Sequence, residues 1–320
     1  MPLVVGIDEA GYGPLLGPLV VAATLWRAGP AAIGGNWWKH LRDSVSRTPQ
    51  RQSMLLPVGD SKQVFDRKQG VATLERTVLA FGRAAGLPVG NLGEFLRGLG
   101  YEPTLESQCC PWYEDLSRTL PVDPARSAYE GAAERLHRTM DAAGVVCQGL
   151  RTQIVTEDAF NRRVAQTRNK AEIVLEAVLW LMHWAQAHSA AQDVYVLVDR
   201  LGGRADYRGV LMAAFPERHL HVLEVSDTCS RYRLATEASD WHVEFRVEGE
   251  RAHLPIALAS MLAKYVRELL MERFNAYWRE LAPNLRPTAG YYSDAQRFLA
   301  DIRMLLERGG VPRERFVRAL

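Results

Sequence analysis

Residues 3–7, Leu-Val-Val-Gly-Ile, form an apolar run that ends on two adjacent acids, Asp8 and Glu9. Gly11, Gly13, Pro14, Gly17 and Pro18 then crowd a tight connection, and a second apolar run, rich in β-branched residues, covers Leu19 to Trp26. A chain that begins this way is committed to a sheet, with a strand that delivers carboxylates at its C-terminal edge. Later segments extend the pattern. Val145 to Val155, Val194 to Val198 and His219 to Val225 read as strands, and Trp241 to Glu248 alternates strictly between apolar and polar residues. Helices are predicted from about Asp66 to Ala85, capped by Gly86, and over Arg126 to Ala143. A further helix over Ala171 to Ala187 carries Ile173, Val174, Ala177, Leu181 and Trp184 on one stripe. Pro255 suits the first turn of a helix reaching about Trp278, and Ser293-Asp294 caps a last one to about Glu307. The expectation is a mixed α/β sheet flanked by helices.

Length and composition narrow the class. At 320 residues with 48% hydrophobic and 24% charged side chains, the chain buries a full core and is not disordered as a whole. No apolar run approaches the roughly 18–20 residues of a membrane span. Acids follow the first apolar run too soon for a signal peptide. The protein is therefore expected to be soluble, cytoplasmic and without a membrane partner. A net charge of +2 announces no global field toward nucleic acid, so such a partner would need local patches. Cys109, Cys110, Cys147 and Cys229 contain no CxxC spacing and read as reduced thiols.

Three acidic positions stand at the ends of predicted strands: Asp8-Glu9, Asp199, and Glu248 or Glu250. Adjacent strands ending this way bring carboxylates to one sheet edge, where their mutual repulsion calls for cations. Hard oxygen ligands select Mg²⁺ or Mn²⁺, and two such ions suit phosphodiester hydrolysis.

The stretch Gly6-Ile7-Asp8-Glu9-Ala10-Gly11-Tyr12-Gly13-Pro14-Leu15-Leu16-Gly17-Pro18 resembles the N-terminal signature of type 2 ribonucleases H, the ribonuclease HII family. Asp60-Ser61-Lys62, Asn169 with Glu176-Ala177, Val196-Leu197-Val198-Asp199, Ala259-Ser260-Met261-Leu262-Ala263-Lys264 with Arg267, and Gly290-Tyr291-Tyr292-Ser293-Asp294 are similar to further motifs of that family, in the same order. The resemblance implies a ribonuclease H-like mixed five-stranded sheet in residues 1–270, with insertions at about 27–59 and 87–143. A C-terminal helical extension would cover 271–320. It implies an endonuclease that cuts RNA in RNA/DNA hybrids, or duplexes with embedded ribonucleotides, leaving 5′-phosphate and 3′-hydroxyl ends. Asp8, Glu9, Asp199 and Glu250 would be catalytic and hold two ions, Mg²⁺ or Mn²⁺. Glu250 is preferred by its distance of about fourteen residues from Lys264, with Glu248 as fallback. Gly11, Tyr12, Gly13, Lys62, Lys264 and Tyr291 would bind substrate.

The chain also departs from the resembled pattern. Tyr12 stands where the family has Arg or Lys, and Glu250 where it has Asp. Two alternatives therefore stay open: a nuclease of this fold redirected to another nucleic-acid structure, and an inert nucleic-acid-binding module. Basic residues at 151–170 and the series Arg200, Arg204 and Arg208 are candidate phosphate contacts. Trp37, Trp38 and Trp112 are read as core before stacking platforms. The histidines, His183 and His188 included, show no ligand spacing.

Overall fold

The computed structural model describes residues 1–50, 53–65, 70–102, 110–307 and 311–319. In chain order its first elements are β1 (Leu3–Ala10), β2 (Leu19–Ala28), α1 (Trp37–His40), β3 (Val45–Ser46), β4 (Leu56–Pro57), α2 (Ser61–Val64), α3 (Ala72–Ala84), α4 (Leu92–Gly98) and α5 (Glu130–Ala142). There follow β5 (Val145–Val155), α6 (Glu157–Thr167), α7 (Lys170–Ser189), β6 (Val194–Asp199), α8 (Arg208–Ala214), β7 (His219–Val225), β8 (Cys229–Ala235) and β9 (Asp240–Arg246). The chain closes with α9 (Gly249–Ala252), α10 (Leu254–Leu281), α11 (Tyr292–Asp301) and α12 (Arg303–Glu307).

Seven strands form one mixed sheet in the order β5-β2-β1-β6-β9-β8-β7. β2 runs antiparallel to β1, while β1, β6 and β9 are parallel neighbours, with Val5 opposite Val196 and Val196 opposite Val243. The five strands from β5 to β9 correspond to the expected five-stranded sheet. The β7–β8 hairpin extends it by two strands and accounts for the long stretch between Asp199 and Glu250.

The period of two along each strand divides the apolar residues between two layers. Leu3, Val5, Ile7, Val194, Val196 and Val198 pack with Ile173, Val178 and Leu181 of α7 on one face. Val4, Val20 and Ala22 pack with Leu258, Met261 and Leu262 of α10 on the other. Strands buried on both faces read as continuous apolar runs, which is why the first strand stands out in the sequence. Helix α10 lies so close to β1 that a Cβ on Gly6 would sit 2.1 Å from the carbonyl carbon of Pro255. Only glycine fits at that crossing.

Both expected insertions join the α10-side layer. Trp37, Trp38 and Trp112 are buried there, as expected of core residues. Trp26 and Trp37 meet edge to face, and Trp112 touches Phe274, Trp278 and Phe316. Several boundaries shift. The helix expected from Asp66 is observed from Ala72, with 66–69 outside the described residues. The alternating strand stops at Arg246, and the last helix breaks at Ile302. Residues 157–167, read only as part of a basic patch, form α6. Cys110, Cys147 and Cys229 are buried free thiols; Cys109 lies outside the described residues. Among the described residues, no helix is long and apolar enough to cross a membrane.

Candidate active site

Because β1, β6 and β9 are parallel neighbours, their C-terminal ends share one edge of the sheet, the usual ligand edge of α/β folds. β1 carries Asp8 and Glu9 in its last three residues, and β6 ends in Asp199. One oxygen from each of these three acids lies within 4.8 Å of the other two. The fourth acid arrives differently. The chain leaves β9 through a turn in which Glu248 takes a left-handed conformation, φ 53°, and α9 begins at once. The Gly249 N–H donates to Asp199 Oδ1 at 2.8 Å, which seats α9 against the end of β6. Glu250 thereby lines the same cavity of about 260 Å³ as Asp8, Glu9 and Asp199. Glu248 instead pairs with Arg251 at 2.7 Å on the surface and does not line the cavity.

Electrostatics follow from the crowding. Asp8 is 7% exposed, and burial first, then the charges of Glu9 and Asp199, hold its carboxyl well above the usual range. Asp199 is pushed up to about 7, chiefly by burial, with Glu250 and Glu9 adding repulsion. Burial likewise raises Glu9, and Lys62 partly offsets this. Asp8 Oδ1 accepts the Glu9 N–H at 2.7 Å, while the buried Glu9 Oε2 has no hydrogen-bond partner among the described residues. A set of hard carboxylate oxygens in mutual repulsion, one of them orphaned, fits a divalent cation.

The other expected residues also line this cavity: Gly11, Tyr12, Gly13, Lys62, Lys264 and Tyr291. Lys62 follows Asp60, whose carboxylate caps α2 by accepting the Lys62 N–H. Lys264 is committed to Glu268 at 2.6 Å, and its ammonium lies 4.8 Å from the centre of the Phe65 ring. Tyr291 is 47% exposed, with the Arg267 guanidinium 5.8 Å from its ring centre.

Three features, at Ser260, Arg267 and Arg318, were not assigned from the sequence, and Lys170 was read only within the basic stretch 151–170. Ser260 stands beside Asp8, lines the same cavity and donates to Ser61 at 3.0 Å, so two motifs meet beneath the acids. Arg267, 1% exposed, donates to the carbonyls of Leu16 and Ala289. A Cβ on Gly11, where φ is +93°, would meet the Arg267 Nε at 2.6 Å. Lys170 Nζ lies 5.3 Å from the Tyr12 ring centre. Arg318 reaches the loop after β1 from the far end of the chain. Ser260 and Arg267 stand inside quoted motifs, so their position was visible although their task was not. Nothing in the local pattern marks Arg318.

The basic series are largely neutralised. Arg162 pairs with Asp158, Arg163 with Glu176, Arg204 with Glu172 and Arg208 with Asp206, while Arg200 donates to the Arg204 carbonyl. Arg151 lies over the Trp180 ring.

No family model matches the chain, and no curated protein matches it. Solved structures similar to it include ribonuclease H2 from Pyrococcus horikoshii, at 15% identity, TM-score 0.43, and coverage of 99% of this chain and 92% of that one. Ribonuclease HII from Archaeoglobus fulgidus, solved with PCNA, is 16% identical at TM-score 0.41, covering 98% and 91%. Bst-RNase HIII in complex with Mn²⁺ is 17% identical at TM-score 0.42, covering 99% and 66%.

Proposed function

We propose that this protein is a metal-dependent endonuclease that hydrolyses the RNA strand of RNA/DNA duplexes, leaving 5′-phosphate and 3′-hydroxyl ends. The observation that carries the reading is the convergence of Asp8, Glu9, Asp199 and Glu250, from three separate stretches of chain, on one cavity at the C-terminal edge of the sheet. Two divalent ions, Mg²⁺ or Mn²⁺, held by these four acids would supply Lewis acidity toward phosphodiester oxygens and lower the pKa of water. The protein's own part is to present the acids in place. The Gly249 N–H fixes Asp199, the Glu9 N–H holds Asp8 Oδ1, and Ser260, held by Ser61, stands beside Asp8. Lys62 draws Glu9 toward its charged form, and the orphaned Glu9 Oε2 supplies an uncommitted donor oxygen. Tyr12, Gly13 and Tyr291 form the rim against which a nucleotide would lie.

The test is cleavage of four labelled duplexes with Mg²⁺ or Mn²⁺: one embedded ribonucleotide, a full RNA/DNA hybrid, RNA/RNA and DNA/DNA. Hydrolysis confined to the first two, and abolished in Asp199→Asn, is the expected result. Cleavage of only another duplex means a redirected nuclease, the reading that Tyr12 between the glycines favours. Binding without cleavage, unchanged by Asp199→Asn, means an inert binding module.

A further inference from the structure

We infer that Arg318, in the segment that follows α12, is a positioning residue for the proposed phosphodiester hydrolysis: its buried guanidinium orients two backbone donors of the Gly11-Tyr12-Gly13 loop toward the substrate. The inference deepens the functional reading above and rests on it.

Arg318 is 3% exposed, and its guanidinium lies 4.0 Å from the centre of the Phe160 ring. Nη1 donates to the Gly11 carbonyl and Nη2 to the Tyr12 carbonyl, the latter at 2.9 Å. Two consecutive carbonyls are thus turned toward one cation. In a trans peptide the N–H points opposite to the C=O. The amides of Tyr12 and Gly13 therefore both face away from Arg318. Among the described residues neither amide has a hydrogen-bond partner. A Cβ built on Gly13 would meet nothing within 4 Å, so the loop is open to solvent there. Both residues line the acidic cavity. Paired, outward-facing amides of this kind suit an oxygen of the substrate, whether of phosphate or of ribose.

The segment that carries Arg318 is held firmly. Its own N–H donates to the Leu15 carbonyl at 2.8 Å. Asn161 donates to the Glu314 and Val317 carbonyls and accepts the Ala319 N–H at 2.7 Å. Phe316 is buried against Trp112 and Trp278. A surface tail would not need these anchors. Placing a guanidinium almost out of water also costs free energy, and its two side-chain hydrogen bonds both go to the loop beside the acids. With the side chain removed, the 11–12 and 12–13 peptides lose the contact that sets their planes. Misplacement of about 1 Å near a reacting centre lowers rates by about 10²-fold.

The experiment compares wild type, Arg318→Ala and Arg318→Lys by steady-state cleavage of an RNA/DNA hybrid with Mg²⁺, by thermal melting, and by hydrogen exchange of peptides covering residues 8–19. Arg318→Ala is expected to lower kcat by about 10²-fold with KM little changed. Exchange should quicken in the 8–19 segment and not in β6 or α7. Arg318→Lys should recover part of the rate, and guanidinium ion below denaturing concentration should partly restore Arg318→Ala. Unchanged kcat with unchanged loop exchange overturns the proposal. So does a loss accompanied by faster exchange throughout the chain and no guanidinium rescue, since that is a purely structural role. If the wild-type protein cuts no duplex, the functional reading fails. The exchange data then still decide whether Arg318 orders the loop.

Discussion

The backbone N–H of Gly249 donates to Asp199 Oδ1 at 2.8 Å, joining the end of β6 to the start of α9 across 50 residues of sequence. That bond, with the left-handed turn at Glu248, decides which glutamate faces Asp8 and Glu9. Glu250 lines their cavity, and Glu248 pairs with Arg251 outside it. Glu250→Gln is expected to lower kcat/KM by about 10²-fold or more, close to 3 kcal/mol of transition-state stabilisation, and Glu248→Gln by less than about threefold. Parallel kinetics of the two variants on one hybrid substrate check this. Equal losses would contradict the register.

Lys170 lies 5.3 Å from the centre of the Tyr12 ring and, among the described residues, has no ion-pair partner. A free cation beside the loop is available to a phosphate. Lys170→Ala is expected to weaken duplex binding and to reduce the slope of log K against log salt by about one. Fluorescence anisotropy over a salt series, without divalent metal, measures it. An unchanged slope means that Lys170 touches no phosphate.

Glu157 is fully buried at the start of α6, accepts the Tyr113 hydroxyl at 3.1 Å, and is pushed up to about 7 by burial. Its folded value lies above the 4.5 of a free glutamate, so between those values the folded chain holds a proton that the unfolded chain releases. The associated stability is fully present below about 4.5 and is lost as pH rises through about 7. Glu157→Gln should therefore flatten the fall in melting temperature over that window. Melting curves across it, with Mg²⁺ held constant, test the sign.

Trp112 brings the segment around residues 111–113 onto α10, touching Phe274, Trp278 and Phe316. Trp112→Ala is expected to cost roughly 3–5 kcal/mol of stability, read by urea denaturation. Because Phe316 shares this cluster, the variant should also loosen the segment that holds Arg318, visible as faster exchange around residues 313–319.

What the sequence revealed was local or periodic. The apolar run ending at Asp8-Glu9, the alternation from Trp241, and Pro255 opening a helix are patterns within a few residues, and each has its counterpart in β1, β9 and α10. β8 went unread although Tyr232 and Leu234 are buried, because Arg231 and Arg233, which alternate with them, resemble a solvated turn. The choice between Glu248 and Glu250 was beyond periodicity, since both share the phase of the strand; a single left-handed residue moves them apart. Segments 27–59 and 87–125 showed no clear period because their aromatic residues pack singly, Trp37 on Trp26 and Trp112 on Phe274 and Trp278, rather than forming a regular face. Arg318 meets Gly11 across 307 residues, and no local rule reports such a contact.

The central claim is that acids from distant stretches of the chain jointly hold divalent cations. Mn²⁺ binding followed by electron paramagnetic resonance tests it most directly, on wild type, Asp8→Asn and Asp199→Asn, with melting curves to show that each is folded. The account predicts saturable binding to the wild-type protein, lost or weakened by about tenfold or more in both folded variants. Equal Mn²⁺ binding by all three would contradict it.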